Sequence, residues 1–155
     1  MAAGKSTVAR ALGRRLDWRV EDIDDRIEAR EGRSVASIFA RDGETYFRSV
    51  ERSVLVDLLP LRHAVVATGG GTFADPENRA LINRDGLSVW LDVPLEELIN
   101  RLPADGRRPL AADREQLERL YAVRRLSYQQ AALRLDAGRA AVDGLVEQVF
   151  DAIAR

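Results

Sequence analysis

A Gly-Lys-Ser-Thr sequence near the start of the chain constrains its fold more than any other feature. Gly4-Lys5-Ser6-Thr7 is followed at once by Val8, Leu12 and Leu16, an apolar spacing typical of a helix. Backbone N–H groups of such a loop can surround phosphates, the lysine can reach the β and γ oxygens, and the serine hydroxyl can bind Mg²⁺. Lys5 is also the only lysine among 24 basic residues. An arginine fork does not replace a compact ammonium group at such a site. The sequence therefore predicts the second half of a phosphate-binding loop.

The first half of that loop is not in the chain. In the pattern G-x-x-x-x-G-K-[ST], the first glycine would stand two residues before Met1. The buried strand that leads into such a loop would lie there as well. We therefore expect the strand that leads into the loop to be absent from the sheet. This predicts low stability, a loosely held phosphate loop and little activity for the chain as printed.

Length and composition indicate one domain over residues 1–155, with a single core. The net charge is −1 and no cysteine is present, so disulfides and thiolate metal sites are excluded. Acidic and basic residues are interspersed, and no apolar run approaches the roughly 18 residues that span a bilayer. We expect a cytoplasmic monomer that binds neither nucleic acid nor a membrane.

Helical and strand patterns alternate along the chain. This alternation predicts a three-layer α/β/α fold with a parallel sheet, and ligands then bind outside the carboxyl ends of the strands. The predicted strands are 18–21, 64–68, 87–93 and 133–136, and the predicted helices are 5–16, 24–32, 34–39, 44–59, one that begins at 76, 94–102, 114–131 and 139–152.

Two carboxylates follow the first of these strands. Alternation along a strand would place Asp22 and Asp24 on one side and Ile23 on the other. Near a phosphate-binding lysine, such a pair can hold Mg²⁺ through water and accept a hydroxyl proton. The alternative is that Asp24 caps the next helix while Asp22 is solvated.

Three further groups suit an anionic ligand. Gly69-Gly70-Gly71 follows an apolar strand and would let backbone N–H groups approach a ligand closely. Arg48 stands one helical turn before Glu51, a spacing suited to an ion pair that is commonly a surface pair. Arg124 precedes Tyr128 by one turn on a late helix, where both could equally belong to a solvated face. We interpret His63, the only histidine, as structural or exposed.

A polar, breaker-rich loop lies within a predicted lid at about residues 103–115. It contains Arg107-Arg108-Pro109-Leu110. A guanidinium on such a loop can close over phosphates during phosphoryl transfer.

The order of these motifs resembles that of the shikimate kinases, which are small phosphate-binding-loop kinases. The resemblance covers nearly the whole chain, with a glycine replaced by Ala2 and a proline replaced by Leu126. It implies a sheet in the strand order 2-3-1-4-5, whose missing first strand is the central one. Its absence would leave roughly 10 Å between its two neighbours. The matching segments are 1–7, Asp22-Ile23-Asp24, 34–39 with 43–44 and 47–51, 68–71, Arg107-Arg108-Pro109-Leu110, and Arg124 with Tyr128.

The resemblance implies transfer of the γ-phosphoryl group of ATP to the 3-hydroxyl of shikimate. Asp24 is implied as a binder of the substrate hydroxyls and as the candidate base, and Arg48 and Arg124 as a clamp on the substrate carboxylate. Gly70 and Gly71 would offer backbone N–H groups to the substrate. The implied ATP-binding residues are Gly4, Lys5, Ser6, Thr7 and Arg108, the implied Mg²⁺ ligands are Ser6 and Asp22, and the implied catalytic residues are Lys5, Asp24 and Arg108.

Two alternatives remain open at this point. A related kinase of another small polyol, such as gluconate, would share the phosphate loop. A non-catalytic remnant that binds substrate without turning over ATP would share the downstream residues.

Overall fold

The computed structural model describes residues 3–101 and 111–155, in which short strands and helices alternate. In these two ranges, no helix is both long and apolar enough to cross a bilayer. The strands are β1 (Arg19–Asp22), β2 (Ala64–Ala67), β3 (Val89–Asp92) and β4 (Leu133–Asp136). The helices are α1 (Lys5–Leu16), α2 (Ile23–Glu31), α3 (Val35–Leu58), α4 (Pro76–Asp85), α5 (Leu95–Asn100), α6 (Ala111–Tyr128) and α7 (Val142–Ala154).

Three helices, α2, α3 and α4, begin where the sequence supplies a side-chain cap. The side chains of Asp22, Ser34 and Asp75 accept hydrogen bonds from the first-turn N–H groups of α2, α3 and α4. Gly32 ends α2 in the left-handed conformation, which costs glycine little. Helix α1 differs, because it follows Gly4 at φ 87° and no side chain caps it. Its first N–H groups are therefore left for another partner.

Gly43 divides the long helix α3. We expected two separate helices, 34–39 and 44–59, broken at this glycine. The structure has two helical segments within Val35–Leu58 that meet at a kink at Gly43, whose φ of 82° and ψ of 176° are not helical. Only glycine adopts this conformation at little cost, and the predicted break at this position is confirmed.

The four strands form two separate parallel pairs. Strand β1 pairs with β2, and strand β3 pairs with β4. Within the described residues, β2 and β3 do not pair with each other, and the remaining edge of each has no strand beside it. The parallel α/β architecture predicted from the alternating pattern is confirmed, with the sheet open between β2 and β3.

A cavity of about 710 Å³ lies between the two halves of the sheet. Strands β2 and β3 line its sides, and apolar side chains of α1, α3 and α7 contribute to its walls. It extends from Trp18 and His63, near the start of the strands, to Lys5 and Gly70 at their carboxyl ends. For this reason Val65 and Val66 are only half-buried, although their apolar run is typical of a fully covered strand.

Two apolar clusters flank the open sheet. In the first, Val8 and Leu12 of α1 pack with Leu135 of β4 and Val149 of α7. In the second, Ile23 and Ile27 of α2 pack with Ile38, Phe47 and Val54 of α3. Strand β2 belongs to both, because Val65 packs on the first cluster and Val66 on the second. The halves are therefore held together by side chains, since strand pairing does not join them.

The cavity predicts that an added strand will stabilise the protein. We expect an apolar segment of about ten residues, fused directly before residue 1, to pair with the free edges of β2 and β3 and to raise both Tm and ATP affinity. Thermal melting and calorimetric titration with ATP check this against the printed chain. A fusion of equal length made of glycine and serine is the control. Equal melting temperatures and equal ATP affinity for all three forms would contradict the prediction.

Candidate active site

The uncapped start of α1 supplies a site for an anion. The chain turns through Gly4 into the helix, and the carbonyl of Gly4 accepts the first helical hydrogen bond from the N–H of Val8 at 3.0 Å. The first turn of α1 carries no acidic residue, so no side chain of that turn neutralises its free N–H groups or the positive end of the helix dipole. Lys5 stands half-buried in this turn, and burial lowers its pKa. Lysine and backbone donors are thus placed together, as phosphate binding requires.

Asp22 and Ser6 meet at the end of β1. The Ser6 hydroxyl donates to Asp22 Oδ2 at 3.4 Å, while Asp22 Oδ1 accepts from the N–H of Asp24 at 2.9 Å. The prediction that strand alternation orients the two carboxylates was wrong, because β1 ends at Asp22 and Ile23 already begins α2. Ile23 is nevertheless fully buried. The alternative was also wrong, since Asp22 and not Asp24 is the helix cap.

Asp24 is left as a carboxylate without a hydrogen-bond partner for its oxygens among the described residues. Burial and the like charges of Asp22 and Glu51 raise the pKa of Asp24, and the charge of Lys5 only partly offsets them. One of its oxygens lies 3.7 Å from the position that a Cβ on Gly69 would occupy. This carboxylate therefore stands between the phosphate loop and the glycine turn.

Arg48 is held by a buried carboxylate. Its Nη1 atom lies 3.0 Å from Glu51 Oε1 and 3.1 Å from Glu51 Oε2. The ion pair predicted from the spacing is confirmed, but the interpretation as a common surface pair was wrong, because Glu51 is only 1% exposed. Glu51 also accepts a hydrogen bond from the buried hydroxyl of Thr72 at 2.8 Å. Glu51 thus joins Arg48 to the segment that follows the glycine turn.

The three glycines bring both arginines close to one turn of backbone. The N–H of Thr72 donates to the carbonyl of Gly69 at 3.2 Å and closes the turn. A Cβ on Gly70 would lie 2.7 Å from Nη1 of Arg124, and a Cβ on Gly71 would lie 2.7 Å from Cζ of Arg48. The glycines are therefore needed to let two guanidinium groups approach the backbone, whereas a turn alone could be built from other residues.

Arg124 and Tyr128 reach the same turn from α6. The Tyr128 hydroxyl donates to the carbonyl of Gly70. The half-buried Arg124 guanidinium makes no hydrogen bond and no ion pair within the described ranges, although its charge acts on Lys5 and Tyr128. The prediction that they could belong to a solvated face was wrong, since one partially buried face of α6 points at the glycine turn.

Two predicted groups are not part of this constellation. Arg108, with the rest of residues 102–110, lies outside the described residues. His63 is exposed, adopts a left-handed φ of 52° and has its ring 5.4 Å from that of Trp18, at the far end of the sheet. Its interpretation as structural or exposed agrees with this position.

Sequence reasoning missed the importance of Thr72 and underrated Glu51. Both are buried and polar, and they bond to each other. The available signal was the threonine directly after three glycines and the acid one helical turn after Arg48. Neither spacing reveals that the two side chains meet across 21 residues.

The fold and the site together indicate a kinase that acts on small anionic molecules. A phosphate loop, a neighbouring pair of carboxylates and two guanidinium groups lie at the strand ends of an α/β fold. The shikimate kinase family model matches residues 1–154. A shikimate kinase from Persephonella marina is 40% identical over 136 residues, which cover 87% of this chain and 83% of that protein.

Two solved structures are similar over nearly the whole chain. The shikimate kinase from Aquifex aeolicus has a TM-score of 0.90 at 32% identity, covering 99% of this chain and 92% of its own. The shikimate kinase from Acinetobacter baumannii, in complex with shikimate, has a TM-score of 0.89 at 31% identity, covering 99% and 88%. The chain belongs to the shikimate kinase family, a family of ATP-dependent kinases. The resemblance and fold class inferred from the motifs are thereby confirmed.

The glycine turn predicts a graded set of alanine variants. Gly70→Ala should displace Arg124 and Gly71→Ala should displace Arg48, so each should weaken binding of an anionic substrate by about tenfold or more, the loss expected for one charge-assisted hydrogen bond. Gly69→Ala is the matched control, because its Cβ would meet only ordinary contacts at 3.6 Å or more. Titration calorimetry with shikimate compares the three variants. Equal losses in all of them would contradict this account.

The raised pKa of Asp24 predicts opposite effects on activity and stability. If Asp24 accepts the substrate proton, turnover should fall with decreasing pH through a pKa above the ordinary 3.8 of an aspartate. A carboxyl group whose pKa is raised by folding destabilises the fold where it is ionised. Asp24→Asn should therefore lower turnover yet raise Tm at pH 7, and the gain in Tm should shrink as the pH falls toward 4. A lower Tm at pH 7, or unchanged turnover, would contradict this assignment.

Proposed function

We propose that this chain transfers the γ-phosphoryl group of ATP to the 3-hydroxyl group of shikimate. The observation that carries the proposal is the half-buried Arg124 guanidinium, which lacks a described carboxylate partner and stands over Gly70 near Lys5. A half-buried cation without an acidic neighbour calls for an anionic ligand. Arg48 reaches the adjacent Gly71, so a carboxylate at this turn would meet two guanidinium groups.

The start of α1 is proposed to hold the phosphates of ATP. The N–H groups that follow Gly4, including those of Ser6 and Thr7, are available to phosphate oxygens, and Lys5 would contact the β and γ phosphates. Burial lowers the pKa of Lys5, and the negative charge of bound phosphates would oppose that lowering. Phosphoryl transfer mainly requires such positioning and charge stabilisation.

Ser6 and Asp22 fit a magnesium ion. Their oxygens already lie 3.4 Å apart, and both are the hard donors that Mg²⁺ prefers. Among the described residues, no cluster of three or more acidic or histidine side chains could form a complete metal cage. Mg²⁺ commonly takes few protein ligands and fills the rest of its shell with water and phosphate oxygens. When bound, the ion would neutralise charge that develops on the transferred group.

Asp24 is proposed to orient the substrate hydroxyl and accept its proton. Its oxygens have no described hydrogen-bond partner, and its raised pKa makes it a better proton acceptor than an ordinary aspartate. The backbone N–H groups of Gly70 and Gly71 would bind the substrate beside the two arginines. Arg108 is proposed, from the family resemblance alone, to stabilise the transferred charge from the lid.

The proposed reaction needs only ATP and a small-molecule substrate as partners. We propose a monomer that uses ATP and a small-molecule substrate, acting in the cytoplasm where ATP is available. The shikimate present in the Acinetobacter baumannii structure supports the choice of substrate. Gluconate remains the competing substrate, because it also carries a carboxylate that two arginines could bind.

A substrate comparison tests the proposal. Coupled ADP-release assays with ATP and Mg²⁺ should show turnover with shikimate, and little or none with gluconate or nucleoside monophosphates. They should be run on the printed chain and on the strand-extended form, with Lys5→Ala as the inactive control. Higher turnover on gluconate than on shikimate would contradict the proposed substrate. Shikimate binding without turnover in either form would indicate a substrate-binding remnant.

A further inference from the structure

A buried carboxylate at the end of β3 lies between two guanidinium groups outside the proposed reaction centre. Asp92 is 6% exposed. Its Oδ1 accepts from Arg125 Nη1 at 2.7 Å, and its Oδ2 accepts from Arg134 Nε at 2.7 Å. Both guanidinium groups also lie over the Trp90 ring, 5.0 Å and 5.3 Å from its centre. The two arginines differ in location, because Arg125 is on α6 whereas Arg134 is on β4.

One face of α6 docks on the end of β3. Tyr121, Arg125 and Tyr128 follow one another at helical spacing on that face. The Tyr121 hydroxyl donates to the carbonyl of Val93 at 3.0 Å and lies 3.2 Å from Arg125 Nη1, and the Tyr128 ring lies 6.1 Å from that of Trp90. Of these contacts, the pair between Arg125 and Asp92 is the one between full charges at low exposure. Together with the hydrogen bond from Tyr128 to the carbonyl of Gly70, this charged pair restrains the rotation of α6 about its axis.

The rotation of α6 determines where Arg124 stands. Arg124 is adjacent to Arg125 and roughly 100° further round the helix. It makes no hydrogen bond of its own within the described ranges, so the helix backbone is what holds its guanidinium over Gly70. A rotation of about 20° would move a side chain on the helix surface by about 2 Å. That distance separates a formed hydrogen bond from a lost one.

We propose that Asp92 and Arg125 are positioning residues for the substrate, and that they act by holding Arg124 over the glycine turn. The proposal rests on the function proposed above, since it assigns Arg124 to the binding of the substrate carboxylate. Neither positioning residue touches the substrate in this account.

A pair of matched variants tests the proposal. Arg125→Ala should weaken shikimate binding by about tenfold, as expected when one charge-assisted contact is lost, and change ATP affinity by less than about twofold. Arg134→Ala is the control, because it removes the other ion pair of the same carboxylate without touching α6, and it should leave both affinities within about twofold. Titration calorimetry and Tm are measured for each variant. Equal effects on shikimate binding would overturn the proposal.

A double-mutant cycle tests whether Arg125 acts through Arg124. In an Arg124→Ala background, adding Arg125→Ala should change shikimate affinity by less than about twofold. A further loss of about tenfold would overturn the proposal. Arg125→Lys, which keeps the charge, should restore part of the affinity lost in Arg125→Ala, whereas Asp92→Asn should weaken shikimate binding in the same direction as Arg125→Ala.

Crystal structures of the two variants separate this proposal from the proposed function. If the unsubstituted protein neither binds nor phosphorylates shikimate, the proposed function would be contradicted, but the proposed positioning of Arg124 would not. In that case the Arg124 guanidinium should still be displaced from Gly70 by about 2 Å in Arg125→Ala and stay in place in Arg134→Ala. An undisplaced Arg124 in Arg125→Ala would overturn the positioning role.

Discussion

Helix α1 is the element on which the rest of the molecule depends. Strands β2 and β3 do not pair within the described residues, so the two halves of the sheet are joined by the side chains that α1 packs against β2 on one side and β4 and α7 on the other. The same helix carries the proposed phosphate site at its uncapped first turn. The packing of α1 and the position of the Lys5 side chain are therefore coupled. Filling the cavity would stiffen both the packing of α1 and the position of Lys5, because residues of α1, Lys5 among them, line the cavity.

Charge distribution organises the substrate side of the site. Glu51, buried beneath Arg48, neutralises one guanidinium and ties it to Thr72. Arg124 has no such partner in the described ranges and is held by the helix that carries it. One arginine is thus fixed by its own ion pair, and the other indirectly by the ion pair of its neighbour Arg125. In the proposed function, this arrangement leaves the Arg124 guanidinium available to the substrate carboxylate, where a charge-assisted hydrogen bond would contribute binding free energy.

Local chemistry made much of this structure predictable. Helix α1 and strand β4 have the predicted bounds, since each lies in a segment whose apolar pattern and flanking residues agree. The parallel α/β class and the family were predictable because six ordered motifs each need a specific residue type. The geometry of Asp22-Ile23-Asp24 was predicted wrongly, since the two-residue alternation of a strand does not show where the strand ends and a helix begins. Asp22 decides this by capping α2 with its own side chain. The lid arginine, Arg108, lies outside the described residues, so its placement stays a prediction.

The sequence by itself determined the set of candidate site residues. These are the lysine of the predicted phosphate loop, the carboxylates after β1, the three glycines and the arginines spaced around them. Each could be predicted from the sequence because a backbone conformation, a charge or a missing Cβ is a property of a single residue or a short segment. Only the tertiary structure decided that Glu51 is buried, that Thr72 meets it, and that Arg125 rather than Arg124 pairs with Asp92. These outcomes depend on distances between residues far apart in the chain. Such distances are set by how helices pack on the sheet, and no local pattern records them.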